Sequence, residues 1–198
     1  MFRKITLLVF AFIASASAYA QNFYDVSTIQ VISIHFPFSN WDYRLDTAKA
    51  GAEGYVVADT VTINNVQFYN CGIKYKGNSS YNANRVKNPL HIKLDYLLAQ
   101  DYQGYQDIKL SNGFSDPSMI REVSSYQILR QYMDAPLCNF AKVYINGNYY
   151  GIMSNPEDIG NAFNQDHYFS SKYTFFKCKD RKSTRLNSSH VSESRMPS

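Results

Sequence analysis

Two short segments, residues 71–76 and 90–95, alternate strictly between apolar and other residues. Successive side chains of a β-strand point to opposite faces, so each segment can bury one face and leave the other polar. The residues predicted to face inward are Cys71, Ile73, Tyr75, Leu90, Ile92 and Leu94. This alternation predicts a sheet with one packed face, and it places Lys74, Lys76 and Lys93 on the opposite face.

Further strand segments surround these two. The predicted elements are a strand at 29–36, a hairpin at 55–68, a short strand at 108–110 and a second hairpin at 140–153. The two hairpins turn at Asn64-Asn65 and at Asn146-Gly147, pairs that tolerate the left-handed backbone of tight turns. Trp41 follows the first strand in a polar segment that we interpret as a loop.

One central helix is predicted at about 117–133. Asp116 is placed to cap its free N–H groups, and Pro117 is tolerated at the first helical position. Its apolar stripe consists of Met119, Val123, Tyr126, Leu129 and Met133. Past Asn155-Pro156 the chain is expected to become helical again. Many strands with one central helix predict an α+β fold on a mainly antiparallel sheet.

The first 20 residues have the pattern of a secretory signal peptide. Arg3 and Lys4 form the charged start, and residues 5–13 form the apolar stretch. Residues 18–20 (Ala-Tyr-Ala) form the small-residue cleavage site. A membrane-spanning helix needs about 20 apolar residues, and this run is shorter. We expect an exported protein, secreted, periplasmic or at the cell surface, with no membrane span after cleavage.

Residues 180–198 do not look like part of the domain. Residues 180–190 (DRKSTRLNSSH) and 193–198 resemble the translation of a common sequencing-library adapter and its continuation. A natural Ser-rich and Arg-rich disordered tail is the alternative. A match over so many consecutive codons favours the adapter. The expected domain is therefore 21–179, the N-terminal portion of a longer protein.

The formal net charge of +4 comes from the two ends of the chain. Arg3 and Lys4 contribute two charges, and the tail contributes two because its four basic residues outnumber its two acidic ones. Residues 21–179 balance at zero. We therefore exclude nucleic acid and an anionic membrane as partners of the domain.

The cysteines and histidines do not predict a metal site. Cys71, Cys138 and Cys178 form an odd set with no C-x-x-C pair and no zinc spacing. One disulfide is possible, and its pairing stays open. The histidines lie on separate segments without an H-E-x-x-H pattern, so a preformed zinc site is not predicted.

Four pieces of the chain stand out by their order and spacing: residues 73–81, 87–95, 109–112 with 116–122, and 141–147 with 149–151. Together they resemble the CotH (spore coat protein H) kinase family. The likeness covers roughly 41–159. It implies the N-terminal lobe of an atypical protein-kinase-like fold. It also implies an exported enzyme that transfers phosphate from ATP, with Mg²⁺ or another divalent cation, to secreted or surface proteins.

The resemblance implies that Lys76, Gly77, Asn78, Ser79 and Ser80 bind phosphate as a loop at a strand end. Phosphoryl transfer depends on backbone N–H groups and cations placed around the triphosphate. This loop has one glycine, unlike the kinase G-x-G-x-x-G loop, so hydroxyl donors are expected to replace some backbone contacts. A plain surface turn is the alternative interpretation.

Lys93 is predicted to clamp the phosphates, with Glu122 of the following helix as its ion-pair partner. This mirrors the strand lysine and helix glutamate of kinases. Lys76 and Lys87 are alternatives to Lys93. Arg121 is the rival to Glu122, because adjacent helix positions point roughly 100° apart and are not expected to face one cleft together.

Glu157, next to Asp158, resembles an acidic pair at the position of the kinase hinge and is a further candidate nucleotide contact. Catalytic and metal-binding residues stay unknown, because a kinase carries them in its second lobe, and the fragment is expected to be inactive. Asp166 and His167 fit an ordinary surface helix. The alternative function is a non-catalytic adhesion or glycan-binding module, suggested by the 17 Tyr and 13 Phe.

Overall fold

The computed structural model describes residues 22–169, which form a sheet-rich α+β fold with seven strands and three helices. The strands are β1 (Ile29–His35), β2 (Val56–Ile63), β3 (Val66–Tyr75), β4 (Leu90–Lys93), β5 (Asp107–Leu110), β6 (Cys138–Ile145) and β7 (Asn148–Pro156). The helices are α1 (Trp41–Ala50), α2 (Arg121–Leu129) and α3 (Asn161–Tyr168). The α+β class predicted from the sequence is confirmed.

All seven strands belong to one sheet with the order β5-β4-β3-β2-β1-β6-β7. Every neighbouring pair is antiparallel except β1 and β6, which run parallel from Ile29 opposite Phe140 to Ile34 opposite Ile145. The prediction of a mainly antiparallel sheet is therefore confirmed. The first strand lies in the interior of the sheet, so the N-terminal part of the domain is built into its centre.

The two outer strands of this sheet meet and nearly close it into a barrel. Ser111, just after β5, forms an antiparallel bridge with Ser154 of β7. The Ser111 N–H donates to the Ser154 carbonyl over 2.8 Å, and the Ser154 N–H donates to the Ser111 carbonyl over 3.1 Å. We call this bridge the seam. It satisfies backbone groups that an open sheet edge would expose.

The inner face of the curved sheet holds the hydrophobic core. Each of the six residues predicted to face inward on β3, β4 and the residue after β4 is at most 1% exposed. They pack with the inward residues of the other strands, among them Ile32, Val61, Ile108 and Val143. Alternation in the sequence was therefore sufficient to identify the buried face of these strands.

Both hairpins turn through residues with positive φ, as predicted. Asn64 and Asn65 have φ of 46° and 71°, and Asn146 and Gly147 have 48° and 79°. The two asparagine side chains also hold β1 in place. The Asn64 Oδ1 accepts a hydrogen bond from the Val31 N–H over 2.9 Å, and the Asn146 Oδ1 accepts one from the Phe36 N–H over 2.7 Å.

Helix α1 replaces the loop that the sequence predicted around Trp41. Its sequence has no clear apolar stripe, and Leu45 is its buried residue. Two tyrosine hydroxyls from outside the helix hold it by its acidic face. Tyr75 donates to Asp42, and Tyr81 donates to Asp46 over 2.7 Å. Tertiary contacts of this kind override weak local signals, which is why the periodicity missed this helix.

Helix α2 is shorter than the predicted 117–133. It begins at Arg121, because Met119 adopts a left-handed φ of 62° and Pro117 lies in a turn ahead of the helix. Asp116 still receives a helix N–H, since its Oδ2 accepts from the Arg121 N–H over 2.9 Å. The predicted stripe is mostly wrong, because Val123 is its buried member and Met133 is 60% exposed.

The described cysteines are not bonded to each other. Cys71 and Cys138 are free and buried, and burial raises their thiol pKa to about 11 and about 12 respectively. Cys178, the predicted signal peptide and the adapter-like tail lie outside the described residues. Within 22–169, no helix combines the length and apolar character that crossing a bilayer would require.

The loop between β3 and β4 is built around Asn88, which is fully buried. Its Oδ1 accepts from the Asn82 N–H over 3.0 Å, and its Nδ2 donates to the carbonyls of Asn82 and Arg85. The Tyr150 hydroxyl accepts from the Asn88 N–H over 2.6 Å and donates to the Asn88 carbonyl over 3.1 Å. One asparagine therefore fixes the loop and attaches it to β7.

Removing the Asn88 amide should destabilise the domain. Asn88→Ala deletes three hydrogen bonds at a buried position, and we expect the free energy of unfolding to fall by about 2–3 kcal/mol. Asn84→Ala is the matched control, because Asn84 is exposed in the same loop, and its effect should stay within about 0.5 kcal/mol. Urea unfolding measures both. Equal losses would contradict the role of Asn88.

Candidate functional site

A cleft of about 520 Å³ opens at the seam. Its walls come from the end of β3, the segment after β5, the start of α2 and β7. The lining residues with polar or charged side chains are Lys76, Ser80, Ser111, Asn112, Ser115, Asp116, Arg121, Glu122 and Ser154. Volumes of this size are typical of small-molecule sites.

A chain of hydrogen bonds runs through this cleft from a cation to a carboxylate. The Lys76 ammonium donates to the Ser111 hydroxyl over 3.0 Å, and that hydroxyl donates to Glu122 Oε1 over 3.1 Å. The Ser154 hydroxyl donates to Glu122 Oε2. Both oxygens of Glu122 are therefore held by serines, one on each side of the seam.

The fold explains why these side chains meet. Tyr75 is buried, so strand alternation turns its neighbour Lys76 outward, and the Lys76 N–H donates to the Pro89 carbonyl over 3.0 Å. The seam then fixes Ser111 opposite Ser154. Glu122 reaches both serines from the second residue of α2.

The loop after Lys76 has a fixed shape. Gly77 has a φ of 84°, and a Cβ added there would lie 2.2 Å from the Ser80 Oγ. The Asn112 Nδ2 donates to the Ser80 carbonyl over 3.0 Å, which holds the loop against the segment after β5. Asn78 and Ser79 are exposed. Within residues 22–169, the backbone N–H groups of 77–80 donate to no protein acceptor.

Lys93 lies elsewhere, and its predicted pairing with Glu122 is wrong. Its ammonium is 3.0 Å from Asp95 and 4.0 Å from Asp107, at a second cavity of about 400 Å³. The strand register explains the difference. Lys93 pairs with Asp107 at one end of β4, whereas Leu90 pairs with Leu110 at the end that leads into Ser111. Whether Lys93 contacts a nucleotide stays a prediction.

Arg121 and Glu122 both line the seam cleft, contrary to the expectation that only one of them would. Arg121 is the first residue of α2, so its side chain can turn back over the preceding segment. Its Nε lies 3.5 Å from Asp116, and its guanidinium donates to the Ser115 carbonyl over 3.3 Å. The side chain is 70% exposed, which leaves its charge accessible from the cleft.

Lys87 caps the edge of β7. Its ammonium donates to the Ile152 carbonyl over 2.5 Å, and burial lowers the pKa of this amine. Its stem runs directly over Gly151, where an added Cβ would lie 3.0 Å from the Lys87 Cε. The glycine in the Tyr149-Tyr150-Gly151 motif therefore has a packing explanation. The predicted phosphate contact of Lys87 stays a prediction.

Glu157, the residue after β7, makes a structural contact. It is 4% exposed, its Oε2 accepts from the Leu137 N–H over 3.0 Å, and burial raises the pKa of its carboxyl. It does not line the seam cleft. His167 of α3 lies 3.3 Å from Asp134 and packs on Phe163, as the surface-helix interpretation requires.

Ser111 and Ser154 were not among the predicted site residues. Ser111 does belong to the 109–112 segment that carried the family resemblance. Ser154 gives no local signal, because a serine near the end of a strand fits any partly exposed sheet. Their role depends on the seam, which joins residues from separate parts of the chain.

A comparison with known protein families gives one match. A family model described as CotH kinase protein matches residues 73–198, which is more than half of the chain. The chain belongs to the CotH kinase family. The match begins in β3, just before Lys76, and it includes the seam, α2 and β7. No curated protein matches the chain.

The residues of the cleft fit a phosphate-bearing ligand. Lys76 and Arg121 supply two positive charges, and Asp116 and Glu122 supply two negative charges in the same lining. The N–H groups of 77–80, which have no protein acceptor within 22–169, supply donors of the kind that phosphate oxygens accept. Glu122 is already bound by two serines. Among the described residues, no group of three His, Cys, Asp or Glu side chains is arranged to hold a metal ion.

The shape of the 77–80 loop can be tested with two glycines of similar conformation. Gly77 and Gly104 have φ of 84° and 88°, but an alanine Cβ at Gly104 would meet nothing within 4 Å. Both alanine variants carry the left-handed strain of about 1–2 kcal/mol. Gly77→Ala should lower the free energy of unfolding further, because Ser80 must move.

Adding Ser80→Ala to Gly77→Ala should recover part of that loss, since the Ser80 Cβ would be 3.6 Å from the new methyl group. Thermal unfolding of the single and double variants measures the effect. Equal destabilisation by Gly77→Ala and Gly104→Ala would contradict the added cost at Gly77 and would show that the Ser80 hydroxyl moves aside freely.

The contact between His91 and Asp107, beside the second cavity, predicts a loss of stability in acid. His91 Nε2 lies 2.7 Å from Asp107, and burial lowers the His91 pKa below its usual 6.5, while the bond to His91 lowers the Asp107 pKa. The unfolded chain therefore binds more protons than the folded one as pH falls through 6.5. The contribution of His91 is present above that pH and lost below it, whereas the contribution of Asp107 is lost only below its own unfolded pKa of 3.8.

We expect urea unfolding to give a smaller free energy at pH 5 than at pH 7.5, and His91→Gln to reduce that difference. His35→Gln is the control, because His35 is largely exposed and lies 3.8 Å from Asp59. A pH dependence that persists unchanged in His91→Gln would contradict this assignment.

Proposed function

We propose that the intact protein is an ATP-dependent protein kinase and that the seam cleft binds the phosphates of ATP. The observation that carries this proposal is the Lys76–Ser111–Glu122 chain beside a loop with free N–H groups. The arrangement parallels the kinase strand lysine and helix glutamate, with a serine hydroxyl between them. The family description supports the same reaction class.

Each residue of the cleft has a role in this proposal. Lys76 binds phosphate oxygens through its ammonium, and Ser111 and Glu122 hold that ammonium in position. The N–H groups of 77–80 donate to the same oxygens, and Arg121 adds a second positive charge at the mouth. ATP with Mg²⁺ or another divalent cation supplies the phosphoryl group. Fixed donors and cations stabilise the charge that spreads during transfer.

We assign no catalytic base and no metal ligand within the described residues. The proposal places those groups in a second lobe, as in kinases. The protein acceptor is a secreted or surface protein if residues 1–20 direct export, as their pattern predicts. These parts depend on the family resemblance and on the sequence pattern.

The aromatic residues give little support to the alternative function, an adhesion or glycan-binding module. Many of the rings pack against one another inside the domain, as Phe23 does with Tyr24 and Tyr102. Exposed tyrosines such as Tyr43 and Tyr132 lie on or after different helices. Aromatic content alone therefore does not require a glycan-binding surface.

The proposal predicts that Lys76 controls ATP affinity. In Lys76→Ala, the loss of a charge-assisted contact should weaken ATP binding by about ten- to a hundredfold. Lys74→Ala is the matched control within the adjoining strand β3, since Lys74 lies over the Tyr55 ring, 4.5 Å from its centroid, outside the cleft. Isothermal titration of this chain with ATP measures both variants.

Transfer of labelled phosphate by the intact protein provides the second readout, and Lys76→Ala should abolish it. ATP affinity that falls in Lys93→Ala but not in Lys76→Ala would move the phosphate site to the second cavity. That result would overturn the proposal for the seam cleft.

A further inference from the structure

A groove of about 360 Å³ lies between the N-terminal segment and the end of α2. Its walls come from residues 22–26, from Gln127 and Arg130 at the end of α2, and from residues 136–138 at the start of β6. We call it the N-terminal groove. It shares no lining residue with the seam cleft, so it is a separate cavity.

The N-terminal wall of this groove is anchored in the core. Phe23 is fully buried, and its N–H donates to the Gln103 Oε1 over 2.9 Å. The buried Asn139 donates through its Nδ2 to the carbonyls of Phe23 and Asp25, over 2.8 and 3.1 Å. The wall is therefore preformed, as the walls of small-molecule sites usually are.

Two opposite charges line this groove from different walls. Arg130 belongs to the end of α2, and Asp25 belongs to the N-terminal segment. In the part of the chain that the structure describes, they form no ion pair with each other. Ser27 holds the Asp25 carboxylate in position, since its N–H and its hydroxyl both donate to Oδ1, over 2.9 and 2.7 Å. Separated opposite charges complement a ligand that carries both an anionic and a cationic group.

The Tyr24 hydroxyl adds a buried polar group to the same lining. Tyr24 is 4% exposed, and among residues 22–169 its hydroxyl has no hydrogen-bond partner. Buried polar groups without a partner are rare and unfavourable. A ligand that offers an acceptor to this hydroxyl therefore gains affinity from a group that the protein leaves unsatisfied.

Glu157 disfavours a ligand that is only an anion. Its carboxylate acts electrostatically on both Tyr24 and Arg130, although Glu157 does not line the groove. A ligand carboxylate near Arg130 would be repelled by this negative charge, and an ammonium group on the same ligand offsets the repulsion. The charges around the groove therefore favour a zwitterion over an anion.

Apolar side chains also line the groove, namely Val26, Pro136 and Leu137. Val26 is 48% exposed, so a ligand can cover part of its surface. An aliphatic group that packs there is stabilised in proportion to the apolar area removed from water. The groove thus offers contacts for a carboxylate, an ammonium group and an aliphatic side chain, the three parts of an aliphatic α-amino acid.

We propose that the N-terminal groove binds a free α-amino acid with an aliphatic side chain. The carboxylate of the amino acid binds the Arg130 guanidinium and accepts a hydrogen bond from the Tyr24 hydroxyl. Its ammonium group binds Asp25, and its side chain packs on Val26 and Leu137. This inference does not depend on the proposed function, because the two cavities have no lining residue in common.

Three probes separate the two charged contacts. L-leucine carries both charged groups, 4-methylpentanoate is leucine without the ammonium group, and 3-methylbutylamine is leucine without the carboxylate. Isothermal titration of this chain at millimolar concentrations of each probe measures the affinities. Leucine should bind, and each analogue should bind about tenfold more weakly, because it lacks one charge-assisted contact.

Variants assign each contact to a residue. Arg130→Gln should weaken the binding of leucine and of 4-methylpentanoate by about tenfold and leave that of the amine unchanged. Asp25→Asn should show the converse pattern, and Tyr24→Phe should weaken the binding of the two carboxylates only. Arg44→Gln is the control, because Arg44 lies over the Phe38 ring and does not line the groove. Circular dichroism of each variant checks that the fold is intact.

The outcomes decide the inference without reference to ATP. No binding of leucine by the unaltered chain overturns it. Leucine affinity that is unchanged in Arg130→Gln and in Asp25→Asn also overturns it, because leucine would then bind elsewhere. Equal weakening of the amine and the carboxylate by Arg130→Gln overturns the assigned orientation and with it the proposal. ATP affinity should stay the same in all of these variants, so their failure leaves the phosphate site in place.

Discussion

The backbone bridge between Ser111 and Ser154 is the constraint on which the rest of the arrangement depends. It joins the two outer strands of one curved sheet, and the same two residues bind both oxygens of Glu122 through their hydroxyls. The backbone of each serine therefore closes the fold while its side chain organises the cleft. A loss of this bridge would part Ser154 from Ser111, so that Glu122 could no longer be held by both serines.

Much of the fold could be predicted from local patterns, because those patterns report burial directly. Ile73 and Ile92 are inward because strands alternate, and the Asn146-Gly147 turn follows from its backbone requirement. The failures have physical causes as well. Helix α1 is held by tyrosines from outside it, and a left-handed Met119 delays the start of α2. Such contacts leave no pattern in the neighbouring sequence from which they could be predicted.

The candidate site was harder to predict than the fold. The sequence predicted a lysine paired with Glu122 and favoured Lys93, whereas the lysine that shares the seam cleft with Glu122 is Lys76. Both lysines lie on outward positions, and only the strand register decides which one lies at the seam. Register across several strands and closure of a barrel are properties of the assembled sheet, so periodicity alone cannot distinguish the two lysines.

The parallel pairing of β1 with β6 has a consequence for how the chain acquires this fold. One edge of β1 pairs only after Phe140 has been synthesised. Most of the domain has therefore left the ribosome before β1 is paired on both edges. The β2–β3 hairpin can assemble early, because its contacts are local. High contact order of this kind slows folding and prolongs exposure of an unpaired strand. Until β6 arrives, the edge of β1 that it will cover stays unpaired.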